Sequence, residues 1–223
     1  MLPLRLFSSR TFSAANASGF LMSAAIFSAA FLTSQYFQLG LGYGPLAAGL
    51  RMLPWTATPV VVAPVAGALA DRVGARPLLV TGLAMQAAGL VWVADIGTAG
   101  GGYGRFVIPL IIAGVGISMA LPATATAALG AVPPADMGLA SGVNNTFQRF
   151  GGAFGVAIAT TVFTTYGHLG APASVIAGYR PALAASAALS LLGALAALAV
   201  AQRKRQPTAV PSPAAAEFDL ASS

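Results

Sequence analysis

This 223-residue sequence has very few charged residues, no cysteine and a single histidine, His168. Asp, Glu, Lys and Arg together make up 7% of it, whereas they make up about 25% of an average soluble domain. Because a soluble protein needs charged side chains on its surface, this composition excludes a soluble globule. The absence of cysteine excludes disulfides, thiolate nucleophiles and cysteine-based metal sites. We expect no metal or other cofactor, and we interpret His168 as an ordinary surface residue of a loop.

The few charges that are present favour neither an enzyme nor a nucleic-acid-binding protein. No two of the five acidic residues are placed for acid–base catalysis. The net charge is +6, but the basic residues stand singly or in threes between long apolar runs. This arrangement is typical of the signals that orient membrane helices, and it lacks the basic patch of a nucleic-acid-binding surface.

Long apolar runs fill the rest of the sequence: 57% of the residues are hydrophobic and the mean hydropathy is +0.80. A helix needs about 20 mostly apolar residues to cross a bilayer. Six segments satisfy or approach this length, at residues 14–39, 46–70, 77–94, 106–131, 139–166 and 181–201. The first of them is too long for the apolar core of a signal peptide, so we do not expect it to be cleaved.

We therefore predict an all-α, polytopic membrane protein whose six-helix bundle occupies residues 14–201 of the chain. A basic segment, residues 1–13, precedes the bundle on the cytoplasmic side. A tail rich in Pro, Ala and Ser follows at residues 202–223, and this composition predicts a disordered cytoplasmic segment.

The positions of the basic residues predict that both ends of the chain are cytoplasmic, in the cell membrane. Cytoplasmic loops of membrane proteins carry an excess of Lys and Arg. With the N-terminus inside, seven basic residues are cytoplasmic, three are external, and Arg149 lies within a span and does not count. The cytoplasmic group is Arg5, Arg10, Arg72, Arg76, Arg203, Lys204 and Arg205, and the external group is Arg51, Arg105 and Arg180.

Polar side chains are concentrated in the predicted fifth span. Asn144, Asn145 and Gln148 fall within about 100° of arc on a helix, with Arg149 at the edge of that arc. Polar groups at membrane depth usually face the protein interior or a water-filled cavity. These four residues are therefore candidates for a solute path. Alternatively, they form polar contacts between helices that neighbouring glycines bring close together.

Two glutamines near the outer end of the first span form a second candidate set. Gln35 and Gln38 are three residues apart, so they share a helix face. They could line the outer mouth of a cavity. Alternatively, they mark the membrane interface, where the adjacent Tyr36 would be common.

The loop between the second and third spans carries a recognisable motif, GALADRVGARP. It resembles the cytoplasmic loop motif of the major facilitator superfamily. The matching residues are Gly67, Leu69, Ala70, Asp71, Arg72, Gly74 and Arg76, while Ala75 replaces a basic residue. Two longer stretches, residues 35–54 and 137–158, are similar to the later spans of fourteen-spanner drug–proton antiporters.

The resemblance implies that the six spans correspond to the C-terminal half of such a transporter. It implies alternating access between two helical bundles, with export of amphipathic or cationic organic solutes in exchange for protons. An N-terminal transporter half would be the partner, besides the lipid bilayer. No acidic residue falls at the middle of a predicted span, so the resemblance assigns no proton-carrying carboxylate to this chain.

Two other classes of protein compete with the transporter interpretation. The first is a structural or regulatory membrane subunit that binds a partner and transports nothing. The second is a membrane-embedded enzyme, which is the least favoured because no catalytic group is evident. Substrate identity, the coupling ion and the oligomeric state do not follow from the sequence.

Thiol labelling tests the predicted topology, because the native chain contains no cysteine. In intact cells, a membrane-impermeant maleimide should not label Ser8→Cys or Ser212→Cys, since both lie on the cytoplasmic side. Both should be labelled once the cells are permeabilised. His168→Cys, predicted to be external, should be labelled in intact cells and serves as the control. Labelling of Ser8→Cys in intact cells would contradict the predicted orientation.

Overall fold

The computed structural model describes residues 4–98, 102–168 and 170–201, and their regular elements are all helical. The predicted tail, residues 202–223, lies outside this described part. Short helical turns occur at Leu4–Ser8, Tyr36–Gly40 and Pro134–Asp136. The α-helices are α1 (Arg10–Gln35), α2 (Pro45–Thr56), α3 (Thr58–Val73), α4 (Ala75–Thr98), α5 (Gly104–Leu129), α6 (Met137–Tyr166) and α7 (Pro172–Ala197).

Five helical segments are long and apolar enough to cross a membrane: Arg10–Gly40, Pro45–Ala70, Ala75–Gly97, Gly104–Leu129 and Pro172–Ala197. The chain is therefore an all-α, multi-pass membrane protein, as the sequence predicts. The predicted fifth span, α6, is not among these five, because its polar residues lower its hydropathy. Its 30 residues extend about 45 Å, which is enough to cross the bilayer, and it packs along α1 and α7.

Three predicted boundaries differ from the structure. The last helix begins at Pro172 rather than at residue 181, so most of the predicted loop 167–180 is helical. Pro172 starts the helix because its missing N–H and fixed φ suit the first turn, while Pro181 is accommodated inside it. The third span is a full 24-residue helix, Ala75–Thr98, rather than the short segment 77–94. The first helix begins at Arg10, inside the predicted basic segment.

The predicted second span is broken into α2 and α3 at Ala57. Pro59 has no N–H, so the carbonyl of Trp55 cannot receive its usual helical hydrogen bond. The Thr58 hydroxyl donates to the carbonyl of Pro54, which caps the break. Gly114 of α5 packs against the Trp55 carbonyl, since a Cβ on this glycine would lie 2.8 Å from that oxygen. The prolines therefore interrupt this span where it meets α5.

Glycines allow α6 to lie directly against α1. A Cβ added to Gly151 or Gly155 would overlap the backbone carbonyls of Phe20 and Ala24, respectively. Such close approach through small residues is a common way for membrane helices to associate. The α4–α5 contact uses the same device, because Gly82 and other glycines meet the facing backbone there.

Side-chain contacts join the helix ends into two groups, one at each end of the bundle. Successive segments therefore alternate in direction. At one end, Arg5 forms an ion pair with Asp136 at 2.6 Å. At the other end, Arg180 pairs with Asp95 at 2.9 Å, and the Tyr36 hydroxyl donates to the Gly97 carbonyl at 2.7 Å. The up-and-down alternation matches the sequence-based topology, while the side of the membrane on which each group lies stays a prediction.

A pair of glycine substitutions tests the α1–α6 contact. Gly155→Ala should destabilise the protein by about 1–3 kcal/mol, because the added methyl group overfills a close backbone contact. Gly142→Ala is the matched control, since a Cβ there meets no atom within 4 Å. It should leave stability unchanged or slightly higher, because alanine favours the helix. The measurement is the temperature at which the detergent-solubilised protein loses its monodisperse size-exclusion peak. An equal effect of the two substitutions would contradict the proposed role of the contact.

Candidate solute pathway

A cavity of about 480 Å³ lies among α1, the α2–α3 break, α5 and α6. Its volume is in the range of small-molecule sites, about 300–1,000 Å³. Most of its lining is apolar, with Phe27 on α1 and Ile117 and Leu121 on α5. The polar part comes chiefly from α6. The cavity is therefore amphipathic, with a hydrocarbon wall opposite a polar one.

The polar wall consists of Asn145, Gln148 and Arg149 on α6. Asn145 and Arg149 are exposed and Gln148 is half-buried. The Asn145 side-chain amide donates a hydrogen bond to the carbonyl of Ser141 at 3.1 Å. Three of the four α6 residues that the sequence singled out thus share one cavity.

Asn144, the fourth of these residues, lies in a helix interface. It is 5% exposed and is not among the residues that line the cavity. A Cβ on Gly19 of α1 would lie 3.5 Å from the Asn144 Oδ1 and 2.8 Å from the Thr124 Cγ2 of α5. Asn144 therefore packs where α1, α5 and α6 meet. The packing interpretation therefore fits Asn144, while the other three residues line the cavity and their role in a solute path stays a prediction.

Gln35 and Gln38 do not belong to the cavity lining either. Both are half-buried at the end of the bundle that the sequence predicts to be external. The Gln38 side chain donates to the Ser34 hydroxyl at 2.9 Å. The neighbouring Tyr36 stacks on Tyr179, with ring centroids 4.2 Å apart. The two glutamines thus flank, in the sequence, a residue of a packed aromatic cluster, and they lie outside the cavity lining.

The part of the lining at the α2–α3 break was not predicted from the sequence. Trp55, Thr56 and Pro59 line the cavity at the α2–α3 break. Trp55 is 3% exposed, and its indole Nε1 has no hydrogen-bond partner among the described residues. The signal in the sequence was the closely spaced prolines, Pro54 and Pro59, which mark the break but do not reveal which helices face it.

Arg149 is the single charged residue among those that line the cavity. Neither Asp nor Glu lines it, and the described residues contain no group of His, Cys, Asp and Glu that could hold a metal ion. The cavity thus offers electrostatic attraction, hydrogen bonding and an apolar surface. These are means of binding a solute.

The loop motif forms the junction between α3 and α4. Gly74 alone separates the two helices and has φ +95°, a conformation that glycine adopts without strain. Arg72 is exposed in the last turn of α3, and Arg76 is half-buried in the first turn of α4. Gly67 faces open space within α3, and Asp71 lies in the last turn of this helix.

Arg51 is held by two tyrosines at the opposite end of the bundle. Its guanidinium carbon lies 3.8 Å from the Tyr43 ring centroid and 5.4 Å from that of Tyr103. The Tyr103 hydroxyl donates to the Arg51 carbonyl at 2.9 Å. Burial raises the pKa of Tyr103, although the charge of Arg51 lowers it in part. This cation–π cluster joins the start of α2 to the start of α5.

The sequence profile of the Major Facilitator Superfamily matches residues 14–222. The chain belongs to this superfamily. The solved structure of the xylose transporter XylE from E. coli, in its inward-open conformation, superposes with a TM-score of 0.58 at 19% identity. The match covers 88% of this chain and 48% of XylE, and it supports a shared fold.

Curated relatives with drug-related names match at similar levels of identity. The multidrug resistance protein Stp of Mycobacterium tuberculosis is 30% identical over 74% of this chain. The cephamycin export protein CmcT of Amycolatopsis lactamdurans is 33% identical over 69%, and the multidrug efflux pump LfrA of Mycolicibacterium smegmatis is 31% identical over 88%. The matched region spans 30% of Stp, 30% of CmcT and 38% of LfrA, about a third of each relative.

Cysteine accessibility tests whether the α6 wall faces water. Asn145→Cys and Gln148→Cys should react with a small, water-soluble thiol reagent, because both positions line the cavity. Phe150→Cys should react at least about tenfold more slowly. Phe150 is 71% exposed on the apolar flank of α6, where lipid would keep the thiol from ionising. Similar rates at the three positions would show that the cavity side of α6 is no more accessible to water than the side that carries Phe150.

Proposed function

We propose that this chain is the C-terminal, six-helix half of a drug-efflux transporter of the fourteen-spanner branch of the superfamily. The observation that carries this proposal is the amphipathic cavity, in which the polar wall of α6 faces the broken second span. Such a cavity suits an organic solute that has both apolar and polar parts. The relatives named for export or multidrug resistance support this assignment.

The packing of the second span supports the idea that a second bundle is missing. Its most apolar window is 11% buried, whereas the windows of the other four candidate spans are 50–56% buried. Leu46, Val60 and Val65 are exposed along α2 and α3. An N-terminal transporter half would cover this flank and supply the other wall of the cavity. The coverage of 48% of XylE agrees with a chain that forms one of two halves.

Alternating access requires parts that move as units and points at which they bend. The α2–α3 break gives the second span a bend beside the cavity, at Ala57. The single-residue junction at Gly74 connects α3 directly to α4, while α4 packs chiefly on α5 and α7. We propose that the bend at Ala57 changes the width of the cavity.

Proton coupling would need a titratable group that this half does not place in the cavity. Of the described carboxylates, those of Asp95 and Asp136 form ion pairs at opposite ends of the bundle. We propose that the complete transporter exchanges protons through a carboxylate of the other half. The protein would reside in the cell membrane with both termini in the cytoplasm, as the distribution of basic residues predicts.

A chimaera tests the proposed half-transporter. This chain would replace the matching 38% of LfrA, and cells would be assayed for energised efflux of amphipathic dyes of either charge. Efflux should appear with the chimaera and be absent with the present chain alone, because one bundle provides only one wall of the path. LfrA lacking the exchanged region is the negative control. Robust export by the purified chain alone in liposomes would contradict the assignment.

A non-transporting structural or regulatory subunit predicts a different result. Such a subunit would bind its partner but give no efflux in any combination of halves, and substitutions along the cavity would not change dye accumulation. In the chimaera, Gln148→Ala should alter accumulation of a dye, whereas Gly142→Ala, outside the cavity lining, should not.

A further inference from the structure

The cavity has a positive charge that no acidic residue of its lining balances. Its single charged group is the Arg149 guanidinium. The electrostatic potential in the cavity is therefore positive.

Arg149 also lies in the middle part of α6, the predicted fifth span. It is the thirteenth residue of the 30 in α6, about 18 Å from the first residue along the helix axis. An arginine near a helix end can extend its side chain to the interface, but this one lies far from both ends of α6. A charge at that depth is costly unless water or a counter-charge accompanies it.

A second group in the same cavity lacks an acceptor. The indole Nε1 of Trp55 has no partner, although the side chain is almost fully buried. An indole N–H can only donate a hydrogen bond. Arg149 and Trp55 thus both require acceptors. Carboxylate and sulfonate oxygens accept hydrogen bonds from such donors strongly, above all from a guanidinium.

The rest of the lining suits a hydrocarbon or aromatic body. Ile26 and Phe27 of α1 face the cavity together with Ile117 and Leu121 of α5. We propose that the cavity binds an amphipathic organic anion, whose carboxylate or sulfonate pairs with Arg149 and whose apolar body packs between α1 and α5. This inference rests on the proposed function, in which the cavity is the solute path, and it specifies the class of solute.

Protection of a cavity thiol tests this inference on the 223-residue chain in phosphatidylcholine nanodiscs. The Asn145→Cys variant would react with N-ethylmaleimide in the presence of 2-naphthalenesulfonate or of 2-naphthylmethylammonium. These probes share one aromatic body and differ in the charge of the head group. The sulfonate should slow the reaction at a concentration at least about tenfold lower than the ammonium, because only the sulfonate pairs with Arg149.

Substitutions of Arg149 in the same background assign the effect to its charge. Arg149→Gln should abolish the preference for the sulfonate, and Arg149→Lys should retain most of it. Arg10→Gln removes the same charge from an exposed position at the start of α1, outside the cavity, and should change nothing. An unaltered size-exclusion profile shows that each variant is folded, and Arg149→Lys keeps the test valid if Arg149→Gln does not fold.

Several results would overturn the inference. They are equal protection by the two probes, stronger protection by the ammonium, no protection by either, and a sulfonate preference that survives Arg149→Gln. Loss of sulfonate protection when phosphatidylglycerol is added would assign the site to a lipid head group and would also overturn it. The binding test does not depend on transport. If the cavity prefers the sulfonate but the chimaera fails to export dyes, the proposed function is refuted and the inference about anion binding is not.

Discussion

The close contact between the α1 backbone and the glycines of α6 is the interaction on which the rest of the bundle depends. Membrane helices gain little from burying apolar side chains against one another, because lipid is equally apolar, so packing and hydrogen bonds hold them together. Gly151 and Gly155 bring α6 onto α1 without intervening side chains. This contact fixes the rotation of α6, and with it the direction in which Asn145 and Arg149 point. The polar wall of the cavity is thus a consequence of the glycines that follow it in the sequence.

A glycine also allows a close backbone contact at the broken second span, where the contact covers irregular backbone instead of joining two regular helices. Gly114 lets α5 approach a carbonyl that Pro59 has deprived of its helical partner. Irregular backbone at membrane depth is tolerated where protein covers it, and here α5 provides that cover. The break would be far more costly on a lipid-facing surface. Its position beside the cavity follows from the need for such cover.

The sequence was sufficient for the fold class and for most of the helices, because membrane depth imposes a minimum length on every apolar segment. The prediction is wrong at the start of α7: Pro181 suggests a boundary in the sequence, but it lies inside the helix, because a membrane helix accommodates proline when its neighbours satisfy the freed backbone group. Hydropathy alone does not place α6 among the spans. The length of its mostly apolar run, residues 139–166, is what predicts it as a span.

The sequence predicts only the α6 side of the candidate site. Helical periodicity places Asn145, Gln148 and Arg149 on adjoining parts of α6, but it does not show where Asn144 turns away into an interface. That distinction depends on Gly19 and Thr124, which belong to other helices. The wall at Trp55 and Thr56 likewise depends on long-range packing. A single sequence contains no direct signal for such contacts.

The isolated charge of Arg149 also bears on leakage. A path wide enough for an organic molecule is wide enough for hydrated sodium ions or hydronium, and uncontrolled flow of either would dissipate the gradients that the cell maintains. A fixed positive group in such a path raises the energy of every small cation that enters, as positive groups do in pores that exclude cations. If the cavity is the solute path proposed above, the guanidinium would also act as an electrostatic barrier to small cations. Replacing it by a neutral side chain would then remove that barrier.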